Sequence, residues 1–216
     1  MIEHDIATTT HGRYLTIPAA SSAPAPLLIG FHGYGEDAET QLERLRTIPR
    51  SDQWLVGSIQ GLHRFYNRRT NEVVASWMTR QNREQAIADN IAYVKACIDA
   101  IGSEWGSAPA IVFAGFSQGV AMAFRAAANS TRPVAGVIAV GGDVPPDVLP
   151  ELRKLPAALI ARGASDNLYP EDQFRRDEQC LQKGAVKVQA LTLTGGHEWS
   201  DDFAEPASRF LDSLRR

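Results

Sequence analysis

Three short stretches carry residue types that combine into nucleophilic chemistry: "GFSQG" at 115–119, "RGASDNLYP" at 162–170 and "TGGHEW" at 194–199. A serine hydroxyl is a weak nucleophile and needs a base to take its proton and an acid to orient that base. "GFSQG" fits the G-x-S-x-G turn, which lifts a serine hydroxyl at the end of a strand. Its glycines leave room where a side chain would collide with the neighbouring strand or helix. The flanks agree with that placement, an apolar run "AIVFA" before Ser117 and a helix-like "VAMAFRAAA" after it. Such a helix aims its N-terminus at the serine and favours negative charge beside it.

When a G-x-S-x-G turn opens a helix, its partners follow in the order serine, then Asp or Glu, then histidine. The chain has His4, His11, His32, His63 and His197, and only His197 comes after Ser117. It follows the last strand-like run, where a loop-borne base belongs. For the acid, Asp166 follows the strand-like "ALIARG" and precedes Pro170 and a helix, and Asp143 in "VGGDVPP" is the alternative. In this scheme Asp166 holds the His197 tautomer, His197 removes the Ser117 proton, and Ser117 attacks a carbonyl.

The oxyanion so formed needs preorganised donors, each worth about 10²–10³ in rate. The backbone N–H of Gln118, next after the nucleophile, is one. The second belongs in a loop after an early strand. "LLIGFHGYGEDAE" supplies it as the Tyr34 N–H, between Gly33 and Gly35. His32 precedes the nucleophile and is read as positioning that loop.

These groups need a sheet to hold them. "RYLTI" (13–17), "LLIGF" (27–31), "WLVGSI" (54–59), "AIVFAG" (110–115), "VAGVIAV" (134–140), "ALIARG" (158–163) and "VKVQALTL" (186–193) read as strands. Several are apolar without alternation, as strands covered on both faces are. "SSAPAP" reads as a turn or hairpin loop. In 83–105, Ile87, Ile91, Val94, Ile98 and Ile101 recur at steps of four and three, one face of a helix. A further helix is expected from Glu171 to Gly184, and another over 201–216 with Pro206 delaying or kinking it. Strand–helix alternation over 1–216 predicts one α/β domain with a mostly parallel sheet. Parallel strands present their carboxyl ends to ligand at one edge. Residues 60–83 break the rhythm, with Arg64, Arg68, Arg69, Arg80 and Arg83 against the single acid Glu72. That segment reads either as a solvated surface excursion or as a functional loop for a substrate carrying negative charge away from its ester.

Bulk composition narrows the field. The 216 residues are 44% hydrophobic and 22% charged with a formal charge of -3, which gives no general attraction to nucleic acid or to an anionic membrane. No run is long and apolar enough for stable membrane insertion, and the N-terminus does not read as a signal peptide, so a cytoplasmic location is expected. Cys97 and Cys180 stand apart without metal-ligand spacing, and neither a metal nor a cofactor is expected.

Taken in order, "FHGYGEDAE", "GFSQG", "RGASDNLYP" and "GGHEW" resemble the phospholipase/carboxylesterase family of α/β-hydrolases, which includes acyl-protein thioesterases and small bacterial esterases. The resemblance spans residues 31–199 and implies an α/β-hydrolase fold without a large lid, acting as a cofactor-independent serine hydrolase on a small-molecule ester. By the matching motifs it implies Ser117, Asp166 and His197 as the triad, with Tyr34 and Gln118 as oxyanion donors. "SWMT" resembles the tryptophan-bearing stretch before that family's long helix, which places Trp77 near the acyl pocket. Met78, Tyr66 and Trp199 are the further pocket candidates. Val120 stands where the thioesterases usually have another glycine, and Glu198 and Trp199 where they often have small residues. Those changes add bulk and bring the chain nearer the small bacterial esterases. An ester of small to medium acyl size is the expected substrate. The same triad also suits a thioesterase or an acyltransferase, and a non-catalytic binding protein on this fold is the alternative from another class.

Overall fold

A computed structural model describes residues 1–2, 4–20, 25–106 and 108–215. Nine strands and five helices alternate along it. The strands are β1 (Arg13–Ile17), β2 (Leu27–Phe31), β3 (Leu55–Gln60), β4 (His63–Tyr66), β5 (Val73–Ser76), β6 (Ile111–Phe116), β7 (Val134–Val140), β8 (Ala157–Gly163) and β9 (Lys187–Leu193). The helices are α1 (Ala38–Thr47), α2 (Arg83–Trp105), α3 (Gln118–Ala128), α4 (Glu171–Lys183) and α5 (Ala204–Ser213). Seven strands form the central sheet in the order β1-β3-β2-β6-β7-β8-β9. Only β1 runs antiparallel to its neighbour, and every other pairing in that sheet is parallel.

Every residue of β2, β3, β6 and β8 is buried, because both faces of the sheet are covered. Successive side chains of a strand point to opposite faces, so each strand feeds two cores. Leu27, Ile29 and Phe31 of β2 join Val94, Ile98 and Ile101 of α2 and Met122 and Phe124 of α3 on one face. Leu28 joins Leu45 of α1 and Phe203, Phe210 and Leu211 at the C-terminal end on the other. The α2 stripe therefore does what its spacing predicts, although Ile87 and Ile91 at its start are only partly buried.

The strand order turns back on itself at β2. From β2 the chain crosses to β3 on one side and later enters β6 on the other. Loops leaving the carboxyl ends of β2 and β6 thus diverge, and the place between them is the general ligand position in such sheets.

Three features depart from the expected elements. Helix α1 arises directly after the loop 32–37, capped by Asp37, whose side chain accepts the Thr40 N–H. Residues 60–83 are not irregular throughout, since β4 and β5 pair as a separate antiparallel hairpin. Pro146–Lys154 forms a run of 3-10 helix. Pro206 lies in the first turn of α5, where backbone N–H groups have no intrahelical partner, and the helix continues through it. Most of the turn expected at 21–26 lies outside the described residues.

Gly119 shows how tightly the sheet and α3 meet. A Cβ at this position would come within 2.1 Å of the Phe31 carbonyl oxygen and 2.6 Å of that of His32. Alanine exceeds glycine as a helix former by about 1 kcal/mol, yet the clash with fixed backbone outweighs that preference. Gly119→Ala is expected to lower stability by about 1–3 kcal/mol, read as a lower urea midpoint at unchanged slope.

Candidate active site

Ser117 stands between β6 and α3 with φ 51° and ψ -119°. A non-glycine residue there is strained by about 1–3 kcal/mol and persists only when its surroundings over-determine it. They do so here. The Ser117 N–H donates to the Val140 carbonyl at 2.9 Å, and its carbonyl accepts from the Val120 N–H at 3.0 Å. A Cβ on Gly115 would meet the Gly119 carbonyl oxygen at 2.4 Å, so the turn closes only around glycine.

His197 approaches from the loop after β9. Its Nε2 lies 2.9 Å from Ser117 Oγ, and its Nδ1 lies 2.8 Å from Asp166 Oδ2. The carboxylate partner makes Nδ1 the protonated nitrogen and leaves Nε2 free to accept from the hydroxyl. Phe116 packs against the imidazole with ring centroids 5.2 Å apart. Behind the loop, a Cβ on Gly163 would stand 2.1 Å from the Gly196 carbonyl oxygen, so β8 and the histidine loop are in backbone contact.

The Asp166 side chain is almost wholly buried. Its second oxygen, Oδ1, accepts the N–H groups of Leu168 at 2.8 Å and Tyr169 at 2.9 Å. Those bonds fix the carboxyl plane and leave Oδ2 for the imidazole. Buried Arg162 holds the turn from below, donating to the carbonyls of Asp166 at 3.1 Å and Tyr169 at 3.0 Å. Asp143 is exposed and makes no hydrogen bond to the imidazole among the described residues.

Loop 32–37 faces the serine from the end of β2. His32 is fully buried, accepts the Gly61 N–H at Nε2 (2.9 Å) and contacts the Gly33 carbonyl through Nδ1 (2.7 Å). The Gly61 donor makes Nε2 the acceptor, so Nδ1 carries the hydrogen and donates to Gly33. In a trans peptide the N–H points opposite the carbonyl. By gripping the Gly33 carbonyl, His32 therefore sets the direction of the Tyr34 N–H. Neither the Tyr34 nor the Gln118 N–H has a protein acceptor among the described residues. Burial pushes the His32 pKa below its ordinary 6.5, which keeps the ring neutral in this role.

Sequence reasoning missed the residues that clamp this loop. Glu36 Oε2 accepts the Gly33 N–H at 2.7 Å, and Arg44 of α1 binds both Glu36 oxygens at 2.6 and 2.7 Å. The Arg44 guanidinium also lies 4.2 Å from the centroid of the Phe116 ring. One ion pair thus joins the loop facing the serine to the ring that backs the imidazole. The available signal was the acid three positions after Gly33, which suits a turn, but nothing in the spacing pairs it with Arg44.

The pocket candidates scatter. Trp77 has no exposed surface and donates its indole N–H to the His32 carbonyl at 2.9 Å. It is a prop under the loop, not a wall of an open pocket, because the loop and Phe31 enclose it. Met78 is half-buried with its sulfur 3.9 Å from Arg125, a buried side chain paired with Asp147. Its carbonyl accepts from the Gln118 side chain at 3.2 Å, and Gln118 Oε1 accepts the Trp77 N–H at 2.9 Å. Trp199 packs edge-on against Phe203 in the second core. Tyr66 is exposed on β4. Val120 is wholly buried and packs into the first core. Of the expected anion-binding arginines, Arg64 donates to the His11 carbonyl. No cluster of three or more metal-ligating side chains occurs among the described residues.

The family model for phospholipase/carboxylesterase matches residues 13–215. The chain belongs to that family. Membership makes it an ester hydrolase of the carboxylesterase class. A search by sequence among curated proteins finds no match. Among solved structures the fold resembles esterase PE8 at 20% identity, covering 95% of this chain and 100% of that one, with a TM-score of 0.76. It also resembles the Bacillus cereus carboxylesterase (17% identity, 94% of each chain, TM-score 0.74). Zea mays acyl-protein thioesterase 2 shares the architecture at 14% identity over 94% of this chain and 99% of that one, TM-score 0.67. Like these family folds, the chain carries a mostly parallel sheet between helices. Among the described residues no helix is long and apolar enough to cross a membrane.

Two outcomes are expected. Glu36→Ala frees the Gly33 peptide and is expected to lower kcat/KM on p-nitrophenyl acetate by about 10–100-fold, while Glu36→Gln, which keeps an acceptor oxygen, loses less. Equal losses, or none, would show that the clamp does not set the loop. For His32, the unfolded chain binds a proton more readily than the folded one below pH 6.5, because the folded pKa is depressed. Its contribution to stability is therefore complete above that pH and declines as pH falls. Thermal melts of His32→Gln are expected to show a shallower loss than wild type on acidification below 6.5.

Proposed function

We propose that this chain is a cytoplasmic serine hydrolase that cleaves carboxylic esters of small to medium acyl size through an acyl-enzyme on Ser117. The observation carrying this reading is the continuous path from Asp166 to His197 to Ser117, with hydrogen-bond separations of 2.8 and 2.9 Å. His197 Nε2 takes the hydroxyl proton as Ser117 Oγ attacks the carbonyl carbon. The Tyr34 and Gln118 N–H groups hold the resulting oxyanion, aided by the N-terminus of α3. Collapse expels the alcohol, which leaves with the proton from His197. A water molecule gives a proton to the same nitrogen, attacks the acyl carbon, and releases the carboxylic acid and the serine. Asp166 keeps the imidazole in one tautomer and stabilises its transient positive charge. Every proton moves among Ser117, His197, water and the alcohol, so the cycle calls on no cofactor or metal.

The acyl-size reading follows from the likeness of the chain's motifs and fold to small bacterial esterases. A panel of p-nitrophenyl esters of increasing length tests it, with turnover expected to fall beyond medium chains. Matched thioesters in the same panel decide between ester and thioester preference.

Ser117→Ala is expected to abolish ester turnover and fluorophosphonate labelling, a loss of about 10⁴-fold or more in kcat. Asp166→Asn is expected to cost about 10³–10⁴-fold, and Asp143→Asn to stay near wild type. Turnover of every ester by Ser117→Ala at the wild-type rate would overturn the mechanism, and the reverse ranking of the two aspartates would reassign the acid.

A further inference from the structure

The β4–β5 hairpin stands apart from the central sheet and is joined to the loop facing Ser117. The Gly35 N–H donates to the Ala75 carbonyl at 2.9 Å, and the Ala75 N–H donates to that of Glu36 at 2.8 Å. This junction bounds a groove of about 550 Å³ lined by Tyr34, Gly35, Phe65, Tyr66, Asn67, Arg68 and Val74. The volume lies within the range of small-molecule sites.

Its walls are unusual for a solvated excursion. Tyr34, Phe65 and Tyr66 are 65%, 37% and 66% exposed, and all three line the groove. The rings of Tyr34 and Phe65 lie 5.5 Å apart at 33° and make a continuous platform. Grouped exposed apolar surface rimmed by polar residues marks a binding site more often than bare surface. Arg68 is the cation at its edge, and its guanidinium has no ion-pair or hydrogen-bond partner among the described residues. Arg64, by contrast, is engaged by the His11 carbonyl. Tyr34 joins the two sites, because its backbone N–H faces the reaction and its side chain lines the groove.

We propose that this groove is a specificity subsite for an aromatic ring bearing a carboxylate, carried by the ester that Ser117 cleaves. The ring lies against the Tyr34–Phe65 platform in the offset geometry aromatic pairs prefer, and Tyr66 flanks it. Its carboxylate meets Arg68, whose planar guanidinium donates two parallel hydrogen bonds to a carboxylate. The substrate class is therefore a carboxylated aryl ester. The ring belongs either to the alcohol or to the acyl half, and the two are separated by test. The inference rests on the esterase reading but is measured without turnover.

The experiment uses the full-length Ser117→Ala protein and titration calorimetry with four probes. 4-Carboxyphenyl acetate and phenyl acetate carry the ring in the alcohol, and monoethyl terephthalate and ethyl benzoate carry it in the acyl group. In at least one pair the carboxylated member is expected to bind about fivefold or more tightly than its neutral partner, a size suited to a partly exposed ion pair. The pair that shows it identifies the half. Arg68→Gln in the same background is expected to erase the difference, and Tyr66→Ala to weaken both members of that pair. A control change at the distant exposed Arg153 is expected to leave the ratio intact. Equal affinities within both pairs, or a ratio that survives Arg68→Gln, would overturn the subsite. Failure of the esterase reading appears separately, as wild-type protein that hydrolyses neither phenyl acetate nor ethyl benzoate.

Discussion

Everything at this site depends on the backbone of α3 lying directly against the end of β2. At Gly119 there is no room for even one carbon atom between the helix and the carbonyls of Phe31 and His32. That contact puts the turn at Ser117 and loop 32–37 in one frame, so the N–H groups of Gln118 and Tyr34, the oxyanion donors we propose, are held by the same backbone contact. Donors fixed before reaction need no reorganisation when charge develops. The positive φ of Ser117 is the local cost of the same closeness, offset by the hydrogen bonds that hold the turn on β7.

A second layer of contacts makes the frame continuous. His32 holds the Gly33 carbonyl, Glu36 holds the Gly33 N–H, and Trp77 holds the His32 carbonyl, so one short loop is restrained on several sides. Arg44 then bridges from Glu36 to the Phe116 ring beneath the imidazole. Asp166 is treated similarly, with two backbone donors on one oxygen and Arg162 under its turn. The holding groups are the buried side chains of His32, Trp77 and Arg162, the half-buried Glu36–Arg44 pair and the backbone N–H groups of Leu168 and Tyr169.

Much of this was legible in the sequence wherever a local rule sufficed. The four-and-three spacing of isoleucines defines α2, and unbroken apolar runs define the central strands to within a residue. Chain order leaves His197 as the one imidazole after Ser117. Helix α1 escaped because its buried positions, Ala38, Gln41 and Leu45, include a glutamine and make no apolar stripe. Strand β4 escaped because all four of its residues are exposed, so burial imposes no alternation on it. The contacts of Trp77 were out of reach for a different reason. A tryptophan beside a site reads equally as wall or prop, and only the meeting of its N–H with the His32 carbonyl decides. Which arginine of 60–83 is engaged likewise depends on tertiary neighbours.

The hairpin carries a consequence for what the scaffold tolerates. It forms its own two-stranded sheet and meets loop 32–37 through an isolated bridge between Glu36 and Ala75 and the packing of Phe65 on Tyr34. Residues at its tip can therefore be exchanged or lengthened while the seven-stranded scaffold, with its hydrolytic machinery, keeps its register. The fold thus carries this exposed hairpin as an appendage whose tip sets no register in the main sheet.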